Sequence, residues 1–170
     1  FALHPHMTPR MMIAIIVMIL QLAITECVSP EELTLFRYAR QSKLEELESL
    51  LSTGIDPDAV VDEISGMTAL NQAAMRGDRA TVELLLSHGA DPSRADKDGD
   101  TALHSAAAMG WAKTTVQLLR GGADPSITNT RDETALGVAQ AANYPKVLKV
   151  LEETQENGVA AVLTKYADEL

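Results

Sequence analysis

Cysteine is nearly absent from this chain. It holds one, Cys27, so no intramolecular disulfide can form and no cysteine-based zinc site exists. Aromatic residues are also scarce, at 4% of 170 positions. A β-sandwich draws on more aromatic and β-branched side chains than that. Ala and Leu must do most of the packing, which suits closely spaced helices whose small side chains let backbones approach. Positive charge is the third deficit: 14 basic residues stand against 24 acidic ones, a formal net charge of -10. The average field of such a chain repels a polyanion, and no cluster of Lys or Arg offers a local exception, so nucleic-acid binding is not expected. The acidity favours solubility and, mildly, a basic partner. No Asn-x-Ser/Thr acceptor occurs, since Asn71, Asn129, Asn143 and Asn157 are each followed by the wrong residues.

Catalytic chemistry is equally thin. Beyond residue 27 the histidines are His88 and His104, and no serine elbow, phosphate loop or metal-ligand spacing surrounds them. The expectation is therefore no enzyme, no cofactor and no metal. Asp96, Asp98 and Asp100 alternate in a way that superficially resembles a calcium loop. The acidic ligand such a loop needs downstream is missing, because a helix is expected to begin at Thr101. The cluster reads as a solvated tip.

The sequence opens on Phe1, and Met7, Met11 or Met12 could each initiate translation. From Met7 a short segment carrying Arg10 leads into an apolar run from Met11 to Leu20, which resumes after Gln21 through Ile24. Small residues follow at signal-peptidase spacing, either Ala23/Thr25 or Thr25/Cys27. This three-part layout predicts a cleaved secretory signal peptide over residues 1–27. A membrane anchor needs about 20 apolar residues, more than the run supplies, so no stable membrane insertion is expected after cleavage. A buried helix of the fold is the other alternative, although a run apolar on all sides has no polar face.

What the chain does have is repetition. Thr68-Ala69-Leu70, Thr101-Ala102-Leu103 and Thr134-Ala135-Leu136 recur at intervals of 33 residues, followed at the same spacing by Ala73, Ala106 and Ala139. Gly89-Ala90-Asp91-Pro92 matches Gly122-Ala123-Asp124-Pro125, again 33 apart. Between these markers lie amphipathic stretches, Val82–Leu86 and Val116–Leu119. A fixed period of this length is the signature of a stack of like units.

The pattern resembles that of the ankyrin repeat family. The third unit is clearest, with Asp96, Gly99, Thr101-Ala102-Leu103-His104, Ala106-Ala107, Gly110, Val116, Leu118-Leu119 and Gly122-Ala123-Asp124. Ala102, Ala69 and Ala135 replace the family's usual Pro. The first unit keeps Ala39, Leu47, Leu50-Leu51, Gly54 and Asp56-Pro57 but lacks the Thr-x-Leu-His element. The fourth has Gly137 in place of His, and Pro145 where its second helix should start, a position that tolerates Pro. The resemblance implies an all-α solenoid of about four units, at 32–58, 62–93, 96–126 and 129–153, within a repeat domain spanning 28–154. Residues 155–170 form a tail in which Val159–Tyr166 could supply a last capping helix. Degenerate ends suit an array whose terminal units keep one face wet.

In this reading the marker residues are structural. Each Thr caps a first helix, with His104 bonding back in the third unit. Gly77 and Gly110 end first helices, and the small alanines allow close packing. The resemblance further implies that a protein partner docks on the concave side made by the turn fingers and the outer edges of the first helices. By position in the repeat, the candidate contact residues are Met67, Met75 and Arg76 in the second unit, with Ile64 and Ser65 beside them. The third offers Lys97, Asp98, Asp100, Met109 and Trp111, and the fourth Arg131 and Glu133. Trp111 stands out as the sole tryptophan, because aromatics are enriched at binding hot spots. Its alternative is to pack its indole over the neighbouring unit's loop.

The last four residues, Ala167, Asp168, Glu169 and Leu170, resemble the Lys-Asp-Glu-Leu signal that returns soluble proteins to the endoplasmic reticulum, departing from it at the first position. Paired with a signal peptide, that ending predicts a monomeric scaffold or adaptor in the endoplasmic reticulum lumen. A cytosolic adaptor or inhibitor is the alternative, and a regulatory subunit of an enzyme a third.

Overall fold

In a computed structural model of the protein, residues 30–60 and 64–167 are described. The expected signal peptide, Asp62 and the final three positions of the retention-like ending lie outside the described residues. Residues Glu31–Leu170 form one compact unit.

Among the described residues the structure is helical, with no strand beyond an isolated bridge between Thr128 and Thr134. Eight of its helices fall into four pairs: α1 (Pro30–Gln41) with α2 (Leu44–Leu51), α3 (Ala69–Arg76) with α4 (Arg79–Ser87), α5 (Ala102–Ala108) with α6 (Ala112–Arg120), and α7 (Ala135–Ala142) with α8 (Pro145–Asn157). A ninth, α9 (Val159–Lys165), packs on α6 and α8 and closes the stack, as the apolar run at Val159–Tyr166 predicts. First helices stack on first helices, α3 on α5 and α5 on α7. Second helices stack likewise, α2 on α4, α4 on α6 and α6 on α8.

The sequence explains these boundaries residue by residue. Thr68 and Thr134 sit extended at N-cap positions, and their hydroxyls accept the amides of Asn71 and Gly137. Such a cap contributes about 1 kcal/mol by satisfying an otherwise orphaned donor. Pro145 occupies the first turn of α8, where its missing N–H costs nothing. The alanines expected to permit close packing do so: Ala39, Ala73, Ala106 and Ala139 are fully buried. Around them Leu35, Leu47, Leu70, Leu85, Leu103 and Leu118 complete the core, each burial contributing roughly 1.5–3 kcal/mol. No helix among the described residues is long and apolar enough to cross a membrane.

Candidate functional site

Three fingers project between the helix pairs, and backbone hydrogen bonds tie them into a row. The Lys97 amide donates to the Ser65 carbonyl at 2.9 Å, and the Thr130 amide to the Asp98 carbonyl at 2.9 Å. Thr130 adds its hydroxyl to that same carbonyl at 2.8 Å. The second and third fingers are each shaped from within by one side chain. Asp96 Oδ1 accepts the amides of Asp98 and Asp100, and Asn129 Oδ1, 33 residues later, accepts those of Arg131 and Glu133. Asp96 is therefore not a solvated tip residue. Its carboxylate turns inward to serve the turn, and burial, aided by the charges of Asp100 and Asp98, raises its pKa against the lowering effect of those two amides.

The fingers are then pinned to the first helices by side chains that reach one unit onward. Thr101 and His104 form a capping box, with the Thr101 amide donating to His104 Nδ1. That acceptor role leaves the ring proton on Nε2, which meets the Glu133 carbonyl at 3.0 Å. Asn71 performs the same task in the unit before. Its amide group donates to the Asp100 carbonyl at 3.0 Å while its Oδ1 accepts from Thr68. Sequence reasoning missed Asn71, although it stands 33 positions before His104. What the two share is a side-chain N–H at one height, not a residue type. Gly137 fills the equivalent place in the fourth unit, after which no further finger among the described residues needs pinning.

The far ends of the first helices form a second column. Gly77 and Gly110 follow α3 and α5 with φ of 71° and 77°, and the next unit lays an aromatic ring across each. A Cβ at Gly77 would lie 2.5 Å from the Trp111 indole, and one at Gly110 would lie 2.6 Å from the Tyr144 ring. The Trp111 Nε1–H donates to the Met75 carbonyl at 3.0 Å. Trp111 therefore packs over the neighbouring unit, as its alternative reading has it, and still leaves 43% of its surface exposed. One unit earlier the corresponding position is Asp78, which caps α4 through Thr81 and accepts a hydrogen bond from Ser42. Burial raises the Asp78 carboxyl, but the hydrogen bonds from Ser42 and Thr81 outweigh it, so its pKa lies below the usual range.

The residues expected to contact a partner divide into two groups. Arg76, Lys97, Asp98, Met109, Trp111 and Arg131 are exposed. Met67, Met75, Asp100 and Glu133 are half-buried. Asp100 is largely committed to the fold, since its carboxylate accepts Asn129 Nδ2 at 2.8 Å. Arg131 and Glu133 pair with each other at 2.8 Å, which raises the guanidinium pKa and lowers the carboxyl pKa. Met109, exposed at 48%, follows α5 directly, and with Trp111 and Tyr144 it is among the large apolar side chains left exposed. Ala167 is exposed. Among the described residues no group of three or more His, Cys, Asp or Glu converges as for a metal ion.

The expectation of no local cluster of positive charge needs correction. The fold gathers Lys113, Lys146 and Lys149 around one cleft, from two helices about 30 positions apart in sequence.

Comparison with known proteins agrees with this architecture. No curated protein matches the chain. The family model for ankyrin repeats (3 copies) matches residues 35–129, more than half of the 170. Within that span lie two of the Thr caps, Thr68 and Thr101, the finger-shaping Asp96 and Asn129, and both side chains that pin one unit to the next. On that match the chain belongs to the ankyrin repeat family.

Proposed function

We propose that this protein is a scaffold or adaptor that binds a protein partner through its row of fingers and the far ends of its first helices, and that it does so in the endoplasmic reticulum lumen. Ankyrin repeats are generic protein-interaction modules. One observation carries the choice of face: Met109 and Trp111 are exposed together on a rigid support. The indole is held by its bond to Met75 and its seat on Gly77. A large side chain immobilised before contact loses little rotamer freedom on binding. The charged fingers at the opposite ends of the first helices, Lys97, Asp98 and Arg131, add exposed polar surface of the kind found at interface rims.

The lumenal location is supported by two segments of sequence. One is the apolar run Met11–Leu20 with its small residues downstream, and the other is the Ala-Asp-Glu-Leu ending. Localisation of an internally tagged chain, with and without residues 167–170, tests it, together with N-terminal sequencing of the product. Cleavage near Cys27, reticular retention and secretion of the truncated form are expected. An uncleaved, diffuse cytosolic product overturns the location and leaves a cytosolic adaptor.

A further inference from the structure

The cleft bounded by α6, α8 and α9 lies on the side of the second helices, away from the fingers. Its volume is about 380 Å³, and its floor is apolar, made by Ala112, Val116, Val150 and the Tyr166 ring. Around it stand Lys113, Lys146 and Lys149, all exposed. None of the three makes an ion pair among the described residues, although the chain carries 24 carboxylates. Glu153, whose carboxyl feels the charge of Lys149, is held by Lys165.

The placement of two of these lysines is locally unfavourable. Lys113 and Lys146 occupy the first turns of α6 and α8, which carry no acidic residue and no side-chain cap. The positive end of the helix dipole favours Asp or Glu there and disfavours Lys. By contrast, α1 and α2 carry two glutamates each in their first turns. A chain rich in acid thus keeps cations at two helix starts that face one cleft. Lone surface lysines solvate freely; three unpaired ones over an apolar floor are complementary to something negative that also has an apolar part.

We propose that this cleft is a second interaction site, taking an acidic segment of a partner protein whose carboxylates meet Lys113, Lys146 and Lys149 and whose apolar side chain rests on Val116, Val150 and Tyr166. It is independent of the finger face. An inorganic anion would use the lysines and ignore the floor, which is why a peptide is the assigned occupant.

Fluorescence anisotropy of the full chain with three labelled hexapeptides tests this. The probes are Glu-Leu-Glu-Glu-Leu-Glu, the same charge with Ser for Leu, and the Lys-for-Glu analogue. Preference for the first, weakened by salt, is expected. The double variant Lys113→Glu/Lys146→Glu should bind it about 10-fold more weakly, the combined effect of two exposed pairs lost and two repulsions gained, each small by itself. The same variant should melt at or above the wild-type temperature, because glutamate suits a helix start. A merely structural role for these lysines predicts the reverse. Equal binding of the Leu and Ser peptides, or competition by millimolar inorganic phosphate, would reduce the cleft to a general anion site and overturn the proposal. Stronger binding after deletion of residues 168–170 would assign the cleft to the chain's own acidic end and equally overturn it. Unchanged binding by the double variant would remove the cleft from consideration.

Discussion

Replacing Gly77 by Ala isolates how one unit is fastened to the next, because an equivalent substitution nearby lacks the contact. Gly77 and Gly89 are both left-handed, with φ of 71° and 87°. Alanine costs about 1–2 kcal/mol in that region, partly offset by about 0.4–1 kcal/mol from a stiffer unfolded chain. At Gly89 a new methyl meets nothing within 4 Å, so the net cost there is about 1 kcal/mol. At Gly77 it would lie 2.5 Å from Cδ2 of Trp111 and 2.8 Å from Cε2 and Cγ. The indole must move, forfeiting its hydrogen bond to the Met75 carbonyl, worth about 1 kcal/mol, and some of its packing. The total comes to about 3 kcal/mol. For a unit of this size that is a fall in Tm of roughly 10 °C for Gly77→Ala against about 3–4 °C for Gly89→Ala. Urea unfolding and thermal melts of both, each also in a Trp111→Ala background, form the test. With the indole gone, Gly77→Ala should cost no more than Gly89→Ala, a coupling of about 2 kcal/mol between residues 77 and 111. The emission of Trp111, the sole tryptophan, should also shift in Gly77→Ala. Equal costs at the two glycines, or a coupling under about 0.5 kcal/mol, would refute the reasoning.

Three further outcomes follow from the same geometry. His104→Ala removes the cap to Thr101 and the bond to the Glu133 carbonyl, and should cost roughly 2–3 kcal/mol by denaturant unfolding; His104→Asn, which copies Asn71, should restore much of it. Asp96→Asn keeps the acceptor that Asn129 shows to be sufficient. The folded pKa of Asp96 is raised, so its stabilising contribution is complete below its unfolded pKa and is lost as pH rises through the folded one. The variant should therefore gain stability over wild type at pH 7 relative to pH 3, as read from melts at both. Asp78 behaves oppositely: its folded pKa is lowered, its contribution is present above the unfolded pKa and is lost as pH falls through the folded one. Asp78→Ala should cost about 1 kcal/mol at pH 7, the worth of a helix cap, and less at pH 2.

The repeat architecture was legible because the residues that build it are constrained to few types. A capping hydroxyl at Thr68, Thr101 and Thr134 and a small side chain at Ala73, Ala106 and Ala139 have few substitutes, so they recur at 33. The pinning role was half legible, since His104 stands in the family pattern while Asn71 reaches the same height with different chemistry. Asp96 misled because an aspartate that opens an alternation with Lys97, Asp98 and Asp100 reads as solvent-facing. Its carboxylate instead folds onto two backbone amides, which a residue type alone does not announce. Trp111 satisfies two readings together, support for the stack and exposed surface, and only its seat on Gly77 separates the shares. The lysine cleft was invisible in one dimension, because its three cations come from α6 and α8 and its floor adds Tyr166 after α9.

The most direct measurement of the central claim is site-specific photocrosslinking in cells, with the photoreactive residue placed in turn at Met109, at Lys149 and at Glu83 on α4. A discrete protein adduct from Met109 that disappears in the Trp111→Ala background, with the variant folded, is the predicted result. An adduct from Met109 indifferent to Trp111, or adducts from Glu83 alone, would contradict a partner site on the fingers and first helices.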